Sequence, residues 1–144
     1  MKPIKLTIIF SMFLAIVSCS NEFEYKSKEI LESKPHQLEL NLDEKWIVDK
    51  EMMIAIKKIE SDIKNFNGST VESHNKLGKA VHLNLKQLTS SCTMTGQSHE
   101  ELHKWLLPFF DLNDELEKAT TIEGAITNLE DMNYELIVFT TYFK

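Results

Sequence analysis

Apolar residues recur every three or four positions along four segments of the chain after residue 49. This spacing places them on one face of a helix, so the pattern predicts four amphipathic helices. The predicted helices cover residues 50–66, 70–90, 98–116 and 122–143. Short connections between such helices favour an antiparallel up-down four-helix bundle. The sequence therefore predicts a single all-α domain that extends from residue 38 to residue 144.

Polar residues at the predicted helix starts match known capping patterns. Asp49 is the predicted N-cap of the first helix, and either Ser69 or Thr70 is predicted to cap the second. Ser98 with Glu101 matches the capping box in which each side chain bonds the other's backbone. A second box is predicted after Thr120. Pro108 inside the third helix is expected to kink it, because proline lacks a backbone N–H.

The residues that precede the first helix alternate with the period of a strand. Leu38, Leu40 and Leu42 are separated by single polar residues, and a turn follows at 43–45. Trp46 and Val48 are then expected to pair back as a short hairpin. A lone hairpin is marginally stable, so this segment must pack on the bundle.

The first 18 residues have the features of a signal peptide, with basic residues, an apolar run from Leu6 to Val17 and small residues at the end. The apolar run is shorter than the ~20 residues of a transmembrane helix. The sequence Ile-Val-Ser-Cys that ends at Cys19 resembles the lipobox of bacterial lipoproteins. That resemblance implies cleavage before Cys19 and its acylation. The mature chain would then consist of a lipidated tether, residues 19–37, and the bundle, exported and anchored in the envelope. Ser20 favours the outer membrane over the inner one.

The charge of the chain argues against a nucleic-acid partner. The formal net charge is −6, it becomes −8 when the signal peptide with Lys2 and Lys5 is removed, and the chain contains no arginine. Binding to phosphate requires a basic surface. The expected membrane attachment is therefore the lipid on Cys19 rather than electrostatic attraction, and any protein partner is unknown.

Four side chains that can bind metal lie within the twelve residues from Cys92 to His103. Cys92 and Met94 offer sulfur, and His99 and His103 are four apart, on one face of the third helix. In an up-down bundle the start of the first helix lies at the same end, so Met52 and Met53 are expected in the same layer. His74 and His82 are interpreted instead as a core-edge and a solvated histidine.

Thiolate, thioether and imidazole together suit Cu(I), and thiolate with imidazole also suits zinc. The sequence therefore predicts a soft-metal site, with copper or zinc as the ion. The alternative is a metal-free interaction or structural module, in which Cys92 is a packed thiol, the methionines fill the core and the histidines are solvated. In that alternative, Trp46 and Trp105 would present a surface to a protein partner.

Residues 99–103 also match the zinc-protease pattern H-E-x-x-H, in which Glu100 would activate water. The longer pattern of one protease class requires glycine and histidine where this chain has Leu106 and Phe109. No downstream glutamate is singled out as a third ligand, and no sheet is predicted to hold a substrate. We therefore interpret the match as fortuitous and predict no enzyme.

The segments 46–52 and 91–108 resemble a group of short exported proteins of Bacteroidota. The shared pattern is Cys-Thr-Met followed by Ser-His-x-Glu-Leu-His-x-Trp-Leu, in which either acidic residue stands at the position of Glu100. The resemblance covers most of the chain after Leu38. It implies that the cysteine, methionine and histidine positions matter more than the protease glutamate, which favours ligand binding over hydrolysis. It implies no particular activity.

Overall fold

The computed structural model describes residues 37–144, which form the all-α four-helix bundle that the sequence predicts. The signal peptide, Cys19 and nearly all of the tether lie outside the described residues. The helices are α1 (Lys50–Lys64), α2 (Val71–Ser90), α3 (Gln97–Lys118) and α4 (Ile122–Tyr142). Each helix packs against the next along the chain, and α4 also contacts α1 and α2, which closes the bundle.

The hydrophobic stripes of all four helices meet in one core. The large side chains that are almost completely buried come from every helix: Met52, Ile59, Val81, Leu85, Leu88, Leu102, Trp105, Phe109, Leu116, Met132, Val138 and Phe139. The last helix extends as far as Tyr142, one residue short of its predicted end. Pro108 lies inside α3 at an exposed position.

The two tryptophans belong to this core. Trp46 is 8 % exposed and Trp105 is completely buried, where its ring packs against Phe109 and Phe139. The prediction that Trp46 and Trp105 present a surface to a partner is therefore wrong. Their indole N–H groups donate to backbone carbonyls, that of Trp46 to Glu39 at 2.7 Å and that of Trp105 to Glu135 at 2.7 Å.

Helix capping agrees with the sequence at α2 and differs at α3 and α4. Thr70 caps α2 and forms a reciprocal box with Ser73. At α3 the N-cap is Gly96, whose φ of 65° suits glycine, and Ser98 donates to the carbonyl of Thr95 instead of closing a box with Glu101. At α4 the cap is Thr121, one residue later than predicted, and its hydroxyl accepts from Gly124 N–H at 3.2 Å.

Asp49 precedes α1 as predicted, but its carboxylate does not cap the helix. Asp49 Oδ2 accepts from the N–H of Thr93 at 2.7 Å and from its hydroxyl at 3.0 Å. This pair ties the start of α1 to the loop between α2 and α3. The start of α1 and the end of α2 therefore lie at the same end of the bundle, as the up-down topology requires.

The segment before α1 is extended, but its pairing differs from the predicted hairpin. Asn41 and Glu44 exchange two backbone hydrogen bonds across a two-residue turn. The two turn residues, Leu42 and Asp43, have positive φ. Trp46 then pairs in parallel with the C-terminus, donating to the carbonyl of Tyr142 at 2.8 Å and accepting from Lys144 N–H at 2.8 Å. Leu38 is buried, whereas Leu42 is 92 % exposed, so the predicted alternation does not bury the whole row.

Candidate metal site between α2 and α3

The candidate site lies where α2 ends and α3 begins. Cys92 follows the last turn of α2 and is half-buried, with its N–H directed to the carbonyl of Thr89 at 3.4 Å. The positive φ of Gly96 reverses the chain, and His99 then falls in the first turn of α3. Two hydrogen bonds from Thr93 to Asp49 tie the loop between these two helices to the start of α1.

Cys92 and His99 are in direct contact. Cys92 Sγ lies 3.5 Å from His99 Nδ1, and both residues are half-buried. The His99 and His103 rings follow each other along α3 with their centroids 4.5 Å apart and a tilt of 55°. His103 is exposed, so its imidazole faces solvent beside the half-buried Cys92–His99 pair.

A cavity of about 270 Å³ adjoins this pair. Most of its wall is apolar, and the remaining lining residues are Thr89, Cys92, His99 and His103. The lining residues are Met52, Leu88, Thr89, Cys92, His99, Leu102, His103, Leu106, Leu107 and Phe110. Cys92, His99, His103 and Met52 of the predicted site thus share one cavity.

The other two predicted ligands lie apart from that cavity. Met53 and Met94 are half-buried and pack against the core, but neither is among the residues that line the cavity. The position of Met52 agrees with the expected layering of α1 over the α2–α3 loop. Met53, the next residue along α1, faces elsewhere because neighbouring residues on a helix point in different directions.

A different cluster satisfies the distance expected for three ligands. Among residues 37–144, one group of histidine, cysteine and acidic residues has ligand atoms that all lie within 4.8 Å of one another, and it consists of His82, Asp114 and Glu117. Cys92, His99 and His103 do not reach that mutual spacing. His82, which the sequence pattern places off the apolar stripe and indicates as solvated, belongs to this cluster, and the cluster was not predicted from the sequence. Asp114 and Glu117 are three residues apart and therefore share one face of α3. The sequence does not reveal which residue of α2 this face will approach.

The protease pattern divides between the two sides of α3. Glu100 is exposed, whereas Glu101 is 2 % exposed and accepts from Glu39 N–H at 2.8 Å and from Lys104 at 2.6 Å. The hydrogen bond that Lys104 donates to Glu101 raises the pKa of Lys104 above its ordinary value. Residues 37–144 contain isolated bridges but no strand whose edge would hold a peptide. The geometry therefore offers the hydrolase hypothesis no support.

Comparison with protein-family models, with curated proteins and with solved structures found no significant match. Within residues 37–144, every helix is too short or too polar to span a lipid bilayer.

Proposed function

We propose that this chain is a lipid-anchored protein of the bacterial envelope that binds a soft metal ion, copper or zinc, between Cys92 and His99. The observation that carries the proposal is the distance of 3.5 Å between Cys92 Sγ and His99 Nδ1. A tetrahedral metal with sulfur at ~2.3 Å and nitrogen at ~2.0–2.1 Å holds these two ligand atoms about 3.6 Å apart. The observed separation therefore fits two ligands of one metal ion without a backbone movement.

The surroundings of the pair favour Cu(I) over zinc. Met52 supplies a thioether and His103 a second imidazole on the wall of the same cavity. Thiolate, thioether and imidazole are the ligands that Cu(I) prefers. Structural zinc requires four ligands in a tetrahedron, and the three Cys and His ligand atoms here are not mutually close. Cu(I) accepts a lower coordination number, which Cys92, His99 and one neighbour can supply.

The apolar wall of the cavity also supports this proposal. Leu102, Leu106 and Phe110 line it beside the two ligands. A hydrophobic shell limits the access of water to a bound metal and so controls its reactivity. Met53 and Met94 stay outside this ligand set, since neither lines the cavity.

The envelope part of the proposal is supported by the sequence alone. The lipobox-like segment ends at Cys19, and acylation there would leave Cys92 as the free thiol of the mature chain. An exported protein with an unpaired cysteine requires an explanation for that thiol, and a metal ion provides one. The formal charge of −8 in the mature chain favours attraction of cations.

The test is a Cu(I) titration of the lipidated protein, purified reduced in detergent, in competition with a copper chelator. We expect one equivalent to bind, and we expect Cys92→Ser with His99→Ala to abolish that binding. Because the thiol must lose its proton, the apparent affinity is expected to rise with pH. X-ray absorption at the copper edge is expected to show one sulfur and at least one nitrogen ligand.

Two controls separate this site from other sources of binding. Glu100→Ala changes the exposed protease glutamate and is expected to leave Cu(I) binding unchanged. Met94→Leu removes a sulfur outside the cavity and is expected to do the same. Binding that is absent, or that survives unchanged in the Cys92→Ser and His99→Ala double variant, would refute the proposal and leave the metal-free module as the function to pursue.

A further inference from the structure

His82 on α2 faces Asp114 and Glu117 on α3, and one ligand atom of each lies within 4.8 Å of the others. We propose that these three residues form a second cation site, for a divalent transition-metal ion such as Zn²⁺. One imidazole and two carboxylates are ligands suited to a borderline divalent ion rather than to Cu(I). The inference is independent of the Cys92–His99 proposal, because it uses different residues and a different ligand chemistry.

A close approach of the two helices holds this cluster together. A side chain at Gly78 would bring its Cβ to 2.8 Å from Glu117 Cγ and to 3.0 Å from its backbone N, so only glycine allows α3 this near to α2. His82 follows Gly78 by one helical turn and therefore lies on the same face. The packing that glycine permits thus brings the Glu117 carboxylate beside the His82 ring.

The carboxylate of Glu117 is oriented by a buried neighbour. Asn113 is completely buried, and its Nδ2 donates to Glu117 Oε1 at 3.3 Å. Hydrogen bonds of this kind, from outside the ligand set, hold metal ligands in position. A cavity of about 240 Å³ opens beside the pair, lined by Lys79, His82, Leu83 and Glu117.

The imidazole has an atom available for a metal. His82 Nδ1 is buried and lies 3.2 Å from Glu117 Oε1, but within residues 37–144 it is not aligned for a hydrogen bond with any group. A buried polar atom without such a partner is costly. A cation between the imidazole nitrogen and the carboxylate would satisfy both groups.

Asp114 already binds a cationic side chain. Lys118 Nζ lies 2.9 Å from Asp114 Oδ2. Lys118 is 73 % exposed, and a surface ion pair of this type contributes little to stability, so a metal ion can displace it at small cost.

The test is calorimetric titration of Zn²⁺ into the full-length protein in detergent, carrying Cys92→Ser and His99→Ala so that the first site is absent. We expect one equivalent to bind. Adding His82→Gln is expected to weaken that binding by at least about tenfold, since even the loss of an outer partner has such an effect. Asp114→Asn is expected to weaken it likewise, and because this carboxylate is exposed, the variant decides the test whatever His82→Gln does to folding.

Glu115→Gln is the matched control. It removes the same charge as Asp114→Asn from the next residue of α3, which is exposed and outside the cluster. We expect it to leave Zn²⁺ affinity nearly unchanged, because a neighbouring exposed charge acts only through screened water. Absence of saturable binding in the Cys92→Ser, His99→Ala protein, or binding that His82→Gln and Asp114→Asn leave intact, would overturn the inference without affecting the Cu(I) titration.

Discussion

The first turns of α3 present two faces that differ in how the fold uses their polar groups. Glu101 and Trp105 make up the tied face: Glu101 binds Glu39, and the Trp105 N–H binds the carbonyl of Glu135. His99 and His103 make up the cavity face, where His99 contacts Cys92 seven residues away and the two rings contact each other. The tied face thus holds distant parts of the chain together. The cavity face keeps its imidazoles beside an open volume, where a ligand can reach them.

The comparison shows why residue types alone do not identify a site. Glu100 and Glu101 are adjacent and chemically identical, yet one is exposed and the other is buried with two donors. A polar group that the fold has already satisfied is a structural element. A polar group that is held in position and still has an atom free to bind a ligand is a candidate functional group.

The largest predicted effect is on the tied face. Trp105→Ala removes a completely buried ring and its hydrogen bond, so we expect the free energy of unfolding to fall by about 3–5 kcal/mol. His103→Ala, on the exposed cavity face, is expected to change it by about 0.5 kcal/mol or less. Urea unfolding of the metal-free protein measures both. Similar losses in the two variants would mean that the faces do not differ as we describe.

The next effect separates the two adjacent glutamates. Glu101→Ala leaves the N–H of Glu39 without its acceptor and removes the carboxylate partner of Lys104, so we expect a loss of about 1–3 kcal/mol in unfolding free energy. Glu100→Ala, one residue earlier and exposed, is expected to stay within about 0.5 kcal/mol of the wild type. The same urea experiment decides between them. Equal stability of the two variants would show that the buried carboxylate holds nothing in place.

These two faces also show which features of the structure can be predicted from the sequence alone. The three-and-four spacing of apolar residues predicts the helices and the bundle, because burial of one helix face is a local pattern that the fold keeps. Asp49 takes the predicted N-cap position of α1, but its side chain makes no capping hydrogen bond. The predicted box of Ser98 with Glu101 is wrong for the same reason. Each carboxylate found a partner distant in sequence, Thr93 for Asp49 and Glu39 for Glu101, and these partners outcompete the local backbone.

The candidate sites divide in the same way. Cys92 and His99 are joined by a short loop, so their sequence separation alone made contact plausible, and the structure places them 3.5 Å apart. His82 and Glu117 are 35 positions apart, and their contact depends on the relative position of α2 and α3 along their axes. Gly78 sets that alignment, yet a lone glycine within a helix does not reveal which residue it will approach.

The smallest predicted effect concerns pH. The hydrogen bond that Lys104 donates to Glu101 raises the pKa of Lys104 above its ordinary value of 10.5. A raised pKa in the folded state contributes stability that is fully present below pH 10.5 and is lost as the pH rises through the folded-state pKa. We expect the loss of stability between neutral and strongly alkaline pH to be smaller in Lys104→Met than in the wild type. Part of the loss will persist, because the pKa of Lys118, bonded to Asp114, and that of buried Tyr134 are raised too.

A double-mutant comparison assigns this alkaline effect to the tied face. If Lys104 acts mainly through Glu101, then Lys104→Met will change the pH dependence more in the wild-type background than in a Glu101→Gln background, where the acceptor carries no charge and only the attraction of Glu39 and Glu100 remains. Lys57→Met, at an exposed position of α1, is the charge-matched control and is expected to leave the pH dependence as it is. Thermal melts across the alkaline range supply the measurement. An equal effect of Lys104→Met in both backgrounds would mean that Lys104 responds to the net charge of the protein, in which case the Glu101–Lys104 contact would not distinguish the two faces of α3.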